Sequence, residues 1–219
     1  MHRCFTAEAV RAALEARTGG SAAPSGGEQL KTGAVVSLSK DDAAHAARVL
    51  RLEPGDSIIV CDGLGYEYEA RLERVRPKES TAVIESGRLS PAEPSVELTL
   101  VQGIAKGSKM DFVVQKAVEV GVSRIVPLNS DRTVVRLDEA KADARVERWQ
   151  RIAYEAAKQS GRARIPSVAP VHSWDELWRR DDLGVVFVPW EGEGSQRLLE
   201  MVRAVVPAAP VSAATRVQL

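Results

Sequence analysis

The chain has 219 residues, of which 44% are hydrophobic and 27% charged, and its 30 basic residues balance 30 acidic ones. This length suffices for one or two domains with hydrophobic cores, and the zero net charge counts against a protein that coats nucleic acid nonspecifically. No apolar run approaches the ~20 residues of a membrane helix, and the N-terminus lacks an apolar signal region, so the sequence predicts a cytoplasmic protein. Cys4 and Cys61 are too few for a disulfide framework or a zinc site.

Residues 1–90 carry the signals of several short β-strands and one short helix. Asp41 and Asp42 are candidate N-caps of a helix that runs through Leu50. The Gly- and Ser-rich segment 18–27 has the composition of a surface loop. Closely spaced short strands indicate a small β-barrel. The predicted strands are 35–38, 57–61, 66–75 and 81–84.

The segment Ser90–Pro94 is predicted to be a linker, because two prolines bracket it and the pattern changes after it. Beyond it strands and helices alternate, which is typical of a parallel α/β sheet. The sequence therefore predicts two domains, 1–90 and 95–219. The predicted strands of the second domain are 98–101, 125–128, 185–188 and 216–219, and its predicted helices are 110–120, 146–158 and 196–205.

The turn Lys106–Lys109 lies between a predicted strand and the start of a helix. Such a turn can offer amide hydrogens and two ammonium groups to a phosphate, although a solvated lysine turn fits the same pattern. On the helix that follows, Gln115 and Glu119 share one face with Lys116 beside them. Because the rest of this helix is nearly all apolar, these polar groups are expected near the rim of a site.

Three arginines also lie at ends of the predicted α/β elements. Arg132 and Arg136 follow the second strand, and Arg162 follows a helix that ends in Gln159-Ser160-Gly161. An open α/β sheet places its ligand site at the ends of its strands. The set therefore indicates an anionic or nucleic-acid substrate, although each arginine alone also fits a solvated surface.

A second group of cations lies in the first domain. His45, Arg48 and Arg51 are spaced i, i+3, i+6 on the predicted helix, and with Arg3 they are candidates for a face that binds the RNA backbone. His45 fits a partly buried structural histidine equally well. The three histidines are scattered and no nucleophile set can be recognised, so neither a hydrolase nor a metal site is expected.

Taken together, these features resemble the ribosomal RNA small subunit methyltransferase E family, which belongs to the SPOUT class. The order and spacing of the motifs hold over almost the whole chain. The matching segments are His45–Leu52 with Pro54-Gly55-Asp56, Asp62-Gly63 with Gly65-Tyr66, Lys106–Asp111, Gln115-Lys116-Ala117 with Glu119 and Gly121-Val122, Arg132 with Arg136, Arg148-Trp149, Glu155-Ala156-Ala157, and Gln159–Arg162 with Pro166.

The resemblance implies an N-terminal PUA-like barrel that binds RNA and a C-terminal α/β domain of the SPOUT trefoil-knot type. It further implies S-adenosylmethionine as cofactor, a homodimer, and methylation of N3 of a uridine in the 16S rRNA of the small ribosomal subunit. Arg132, Arg136 and Arg162 are then candidates for holding RNA phosphate or the uracil anion, and Glu119 is a candidate general base.

The same resemblance suggests where the remaining ligands bind. Lys106, Lys109 and Lys116 are candidates for contacting RNA. The segment Pro189-Trp190-Glu191 follows the end of a predicted strand and is a candidate border of the adenosine.

The chain departs from the family's pattern at its end. In the family, the strand that begins here at Arg216 leads into a Gly-Pro-Glu-Gly-Gly loop, a final helix and a second cofactor loop, whereas this sequence stops at Leu219. We therefore expect an incomplete knot and cofactor pocket in these 219 residues. An RNA-binding protein without catalysis and an inactive fragment are the alternatives to a methyltransferase.

A cofactor titration tests this expectation. Each hydrogen bond missing from the cofactor loops costs about 1 kcal/mol or more, and several such losses weaken affinity tens- to thousands-fold, since about 1.4 kcal/mol is tenfold. Calorimetry with the 219-residue chain should show weak binding of S-adenosylmethionine or none. A micromolar dissociation constant would show that the residues present are sufficient.

Overall fold

A computed structural model describes residues 2–15, 30–130, 139–180, 182, 184–189, 192, 194, 197–205 and 215–218. The loop expected at 18–27 lies outside these residues. The first part of the chain contains five strands and two helices within its described residues. They are β1 (Arg3–Phe5), α1 (Ala7–Glu15), β2 (Val35–Ser37), α2 (Lys40–Arg48), β3 (Ser57–Cys61), β4 (Tyr66–Arg74) and β5 (Thr81–Leu89).

The five strands curl into a small barrel, which confirms the barrel predicted from the sequence. Their order is β1-β3-β4-β5-β2. An antiparallel bridge between Thr6 and Leu38, which directly follow β1 and β2, joins the two edges of the sheet. Alternate residues of β3 and β4 point inward, so Ile58, Val60 and Tyr68 form the centre of the core.

Two features of this barrel were not predicted. The strand β1 pairs in parallel with β3, and α1 buries Ala9 against a cluster that includes Tyr154 from the second part of the chain. The N-cap of α2 is Ser39, whose hydroxyl accepts a hydrogen bond from the Asp42 amide, and not Asp41 or Asp42. The prediction was wrong because the helix already begins at Lys40, and the Asp42 carboxylate instead accepts hydrogen bonds from the Phe5 amide and the Ser39 hydroxyl.

The second part of the chain is a parallel α/β sheet, as predicted. Its strand order is β10-β11-β6-β7-β8, with β9 also paired to β7, and every described pair is parallel. The elements are β6 (Val96–Gly103), α3 (Lys109–Glu119), β7 (Arg124–Asn129), α4 (Glu139–Gln159), β8 (Ser167–Val168), β9 (His172–Ser173), α5 (Trp174–Trp178), β10 (Val185–Val186), α6 (Leu198–Val205) and β11 (Thr215–Gln218).

Helices α3 and α4 cover one face of this sheet. Met110 and Val114 from α3 meet Trp149 and Ala153 from α4 in a continuous buried core. The apolar spacing along both helices places these residues on a single stripe. None of the described helices is both long enough and apolar enough to cross a membrane.

The two sheets are separated by six residues, since β5 ends at Leu89 and β6 begins at Val96. The domain boundary at Ser90–Pro94 stays a prediction. Ser90 is buried at 4% exposure, and its hydroxyl donates to the carboxylate of Glu67 on β4. The start of the linker is therefore held against the barrel.

Glu67 is a buried carboxylate of the barrel with three donors. Besides Ser90 it accepts hydrogen bonds from Arg3 at 2.7 Å and Arg88 at 2.8 Å. Burial would raise the pKa of Glu67, but the hydrogen bonds from Arg88, Ser90 and Arg3 outweigh it and hold the pKa below its ordinary value of 4.5. This carboxylate therefore stabilises the fold above pH 4.5, and the contribution is lost as the pH falls below that value.

Glu67→Gln should lower the free energy of unfolding at neutral pH by about 2 kcal/mol. The variant should also lose less stability than the parent when the pH falls below 4.5, because the titrating group is gone. Glu85→Gln is the control, since Glu85 pairs with Arg71 on the exposed face of the same sheet and should matter by less than about 1 kcal/mol. Denaturant titrations over a pH series measure the free energy of unfolding of each variant at neutral and at low pH. If Glu67→Gln and the parent lost equal stability at low pH, the stabilising role of the Glu67 carboxylate would be contradicted.

Candidate functional site

The carboxyl ends of the parallel strands define one edge of the α/β sheet, where such sheets bind ligands. The turn Lys106–Lys109 follows β6 at this edge, and Pro189 follows β10. Arg132 and Arg136 come after β7 in sequence but lie outside the described residues, as do Trp190 and Glu191.

The start of α3 is open toward solvent at this edge. Lys106 and Lys109 are exposed, and neither has an ion-pair partner among the described residues. Gly107 has a φ of +64° and no atom within 4 Å of the position of a Cβ. Ser108 is the N-cap, and its side chain makes no capping hydrogen bond. Amides and two ammonium groups are therefore available to an anion, as the sequence suggested.

Glu119 and Lys116 lie at the other edge of the sheet. They are in the last turn of α3, which runs back toward the amino end of β7. The Lys116 ammonium lies 2.6 Å from the Glu119 carboxylate, an ion pair between half-exposed side chains. This placement separates Glu119 from the carboxyl ends of the strands and does not favour it as a general base there.

Arg162 is also at the amino-end edge, contrary to the expected anion-holding role. Its side chain is only 3% exposed and pairs with Glu93 at 2.7 Å. A second guanidinium nitrogen donates to the carbonyls of Val118 and Val122, at 3.3 and 2.6 Å, where α3 ends and the turn into β7 lies. A buried guanidinium with these partners has a structural role, and the expectation for Arg162 is corrected accordingly.

The cations at the end of α2 form an exposed surface on the barrel, here called the α2 surface and made of His45 and residues 48–51. The helix predicted through Leu50 ends at Arg48, so Arg51 lies three residues beyond it and does not continue the predicted helical spacing. Arg48 and Arg51 are exposed, with Val49 and Leu50 between them at 65% and 38% exposure. Arg51 has a φ of 53°, a left-handed conformation that is strained for a residue with a Cβ. Neither arginine has an ion-pair partner among the described residues. This stretch is suited to contact phosphates and unpaired bases together.

Arg3 does not join this surface. It lies on β1, where side chains alternate between two faces, and its guanidinium is bound by Glu67 and lies 3.7 Å from the Cys61 sulfur. His2, one residue earlier, stacks on His45 with ring centroids 5.1 Å apart. His45 is thus half-buried at the edge of the α2 surface, and the expected set reduces to His45, Arg48 and Arg51.

The structure brings together three potential metal ligands that are separate in the sequence. The donor atoms of His2, Cys4 and Asp42 lie within 4.8 Å of one another. The ammonium of Lys158, however, lies 2.5 Å from an Asp42 oxygen. Since the Asp42 carboxylate already has a cation beside it, we describe this group as a buried ion pair between α2 and α4.

The sequence did not reveal the partners of the buried Arg162 and Asp42. Glu93 was predicted only as part of the linker, and Lys158 only as the last residue of a helix. The one available signal was the acidic residue between two prolines in a segment otherwise free of charge, Ser90–Pro94. Its partners 69 to 71 residues away cannot be inferred from local pattern.

Comparison with known families matches both parts of the fold. A family of RNA methyltransferase domains matches residues 92–214, and a family of RNA methyltransferase PUA domains matches residues 38–85. The first match covers more than half of the chain.

Individual relatives agree with these matches. The chain is 30% identical over 184 residues to ribosomal RNA small subunit methyltransferase E of Bacillus subtilis, covering 84% of this chain and 72% of the relative. It is 30% identical over 178 residues to the protein of the same name in Mycobacterium bovis, covering 79% and 67%. The crystal structure of the Neisseria gonorrhoeae protein of that name, bound to S-adenosyl methionine, superposes with a TM-score of 0.67 at 28% identity, covering 100% of this chain and 78% of that one.

The strained Arg51 gives a test that separates stability from binding. Arg51→Gly should raise the free energy of unfolding by about 0.5–1 kcal/mol, because glycine adopts this φ without strain. Arg51→Ala keeps the strain and should not stabilise. Both variants lose one cation and should flatten the log–log salt dependence of RNA binding by about one unit. Equal stability of the two variants, or an unchanged salt slope, would contradict the assignment.

Proposed function

Because the chain belongs to the ribosomal RNA small subunit methyltransferase E family, we propose that the protein methylates N3 of a uridine in 16S rRNA with S-adenosylmethionine as methyl donor. The cofactor titration described above tests separately whether these 219 residues suffice for that activity. The observation that carries the proposal is the combination of two cationic surfaces on one chain. One is the α2 surface of the barrel, and the other is the open start of α3 at the carboxyl edge of the parallel sheet.

The α2 surface is proposed to bind the rRNA. Arg48 and Arg51 are exposed and make no ion pair with any described residue, so their charge is available to phosphates. The exposed Val49 and Leu50 add apolar area that suits an unstacked base. Lys106 and Lys109 are proposed to hold a second stretch of backbone near the reacting nucleotide.

The carboxyl end of β10 is proposed to border the cofactor. Val188 is 65% exposed and Pro189 follows it, so an exposed apolar surface lies where an adenine ring can pack. Trp190 and Glu191 are the neighbouring candidates from the sequence. When bound, S-adenosylmethionine supplies an electrophilic methyl group on a sulfonium.

The residues of this chain must then orient and activate the uracil. Its N3 is a weak nucleophile until the imide proton leaves, and cations near the ring oxygens stabilise the anion. Arg132 and Arg136 remain our proposed groups for this role, because they follow β7 in sequence and the carboxyl edge lies there. Alignment of the two reactants supplies much of the rate.

We further propose a homodimer in the cytoplasm, acting on the small ribosomal subunit during its assembly. Helix α6 supports a dimer, because it contains no buried residue and leaves Leu198, Leu199 and Met201 exposed at 42%, 59% and 39%. An apolar helix face of this kind is typical of a surface covered by another chain.

Nucleoside analysis of rRNA from cells tests the proposed activity. Deleting the gene should remove 3-methyluridine from 16S rRNA, and a plasmid copy should restore it. Mass spectrometry of digested 16S rRNA measures both, with the 23S rRNA of the same cells as control. Unchanged 3-methyluridine in the deletion strain would contradict the proposal and favour an RNA-binding protein without catalysis.

A further inference from the structure

The segment between the two sheets is fastened to the α/β domain by its one carboxylate. One oxygen of Glu93 accepts a hydrogen bond from Arg162 at 2.7 Å, and the other accepts the amides of Ala163 and Arg164, both at 2.9 Å. Glu93 and Arg162 are 10% and 3% exposed. Three charge-assisted hydrogen bonds on a nearly buried carboxylate make this the most strongly bonded position of the linker.

The next residue of the linker packs just as closely. A Cβ placed on Gly121 would lie 2.7 Å from the ring of Pro94, and Gly121 has a φ of +105°. Only glycine fits this position, since a side chain would both clash and strain the backbone. The linker is therefore seated on the turn between α3 and β7.

The segment that holds Glu93 also touches the barrel. Arg164 forms backbone bridges with Gly63 and Leu64, and the amide of Ile165 donates to the Gly63 carbonyl at 3.0 Å. The residues after α4 therefore contact the linker on one side and the turn between β3 and β4 on the other. They join the barrel and the parallel sheet at the amino-end edge.

A second buried ion pair connects the RNA-binding helix to the same region. Asp42 of α2 is fully buried and lies 2.5 Å from the ammonium of Lys158 in α4. Its other oxygen accepts the Phe5 amide and the Ser39 hydroxyl, both at 3.0 Å. Burial would lower the pKa of Lys158, but the hydrogen bond and charge of Asp42 raise it above its ordinary value. The Lys158 ammonium is therefore charged at neutral pH.

We propose that Glu93 is a positioning residue for methyl transfer: its bonds to Arg162, Ala163 and Arg164 fix the angle at which the barrel presents rRNA to the carboxyl edge of the parallel sheet. The inference rests on the proposed function. When the α2 surface holds an rRNA, the rate of methyl transfer depends on the effective concentration of the target nucleotide at the carboxyl edge of the sheet. A loosened junction lowers that concentration.

The first arm of the test measures how tightly the relative placement of the two domains is fixed. Spin labels attached through Lys78→Cys in the barrel and Arg151→Cys in α4 report the distance between the domains by double electron–electron resonance. Both sites are exposed. The native Cys4 and Cys61 are buried, and burial raises the pKa of each thiol to about 12, so they should not take the label.

The doubly labelled chain is mixed with an excess of unlabelled chain, so that distances between the two chains of a dimer do not contribute. The parent chain should then give one narrow distance distribution and Glu93→Gln a broadened one. Glu85→Gln, which removes an exposed ion pair within the barrel, should leave the distribution narrow. Glu93→Asp keeps the carboxylate on a side chain that is one methylene shorter, and it should broaden the distance distribution less than Glu93→Gln does. An unchanged distribution in Glu93→Gln would overturn the proposal.

The second arm measures methyl transfer in the deletion strain. After induction of a plasmid copy, Glu93→Gln should accumulate 3-methyluridine in 16S rRNA roughly tenfold to a hundredfold more slowly than the parent at equal protein abundance. Its affinity for a 16S rRNA transcript should change less than about twofold, because the α2 surface is intact. Glu93→Asp should recover part of the rate.

The outcomes separate the two proposals. If the parent gene does not restore 3-methyluridine, the proposed function fails. If the parent restores it and Glu93→Gln does so equally fast, or if Glu93→Gln loses rRNA affinity as much as rate, Glu93 is not a positioning residue.

Discussion

The linker between the barrel and the parallel sheet is held on the α/β domain by one nearly buried carboxylate. A charge removed from water must be paired and hydrogen-bonded, and Glu93 obtains its partners from the three consecutive residues Arg162, Ala163 and Arg164. Arg162 in turn binds two carbonyls near the end of α3. Because these bonds hold Glu93 on the α/β domain while Ser90 is bonded to Glu67 of the barrel, only Pro91 and Ala92 lie between the two anchored residues. The junction is therefore far less mobile than a proline-bounded linker suggests.

Helix α4 serves both halves of the molecule because its sides face different cores. Trp149 and Ala153 belong to the core of the parallel sheet, whereas Tyr154 packs on Phe5 of the barrel at a ring distance of 5.8 Å. Lys158 then binds Asp42 of α2. The surface proposed to bind rRNA therefore lies at the end of a helix that contacts the α/β domain directly. In the proposed function, methyl transfer depends on how this surface and the carboxyl edge of the sheet are placed relative to each other.

The sequence predicted the parts of this structure that local pattern determines. Alternation located β3 and β4, helical spacing located α3 and α4, and strand ends located the open turn Lys106–Lys109. Local pattern does not specify tertiary partners. Arg162 looks like a site residue because it follows a helix, but the partner that buries it is 69 residues away. Arg3 fits a basic set by charge, but strand alternation turns it toward Glu67. The helix α1 was missed because its apolar face is covered by residues distant in sequence, among them Tyr154 of α4 and Ala163 and Ile165 after it.

Residual dipolar couplings test most directly whether the two domains form one rigid body. Backbone amides of the barrel strands β3 to β5 and of the parallel strands β6 and β7 can be fitted separately in the same weakly aligned sample. The bonds of Glu93 and Asp42 predict that both sets yield the same alignment tensor, in magnitude and orientation. Two tensors of different magnitude would show that the domains move independently, and would contradict the view that the junction sets the geometry for methyl transfer.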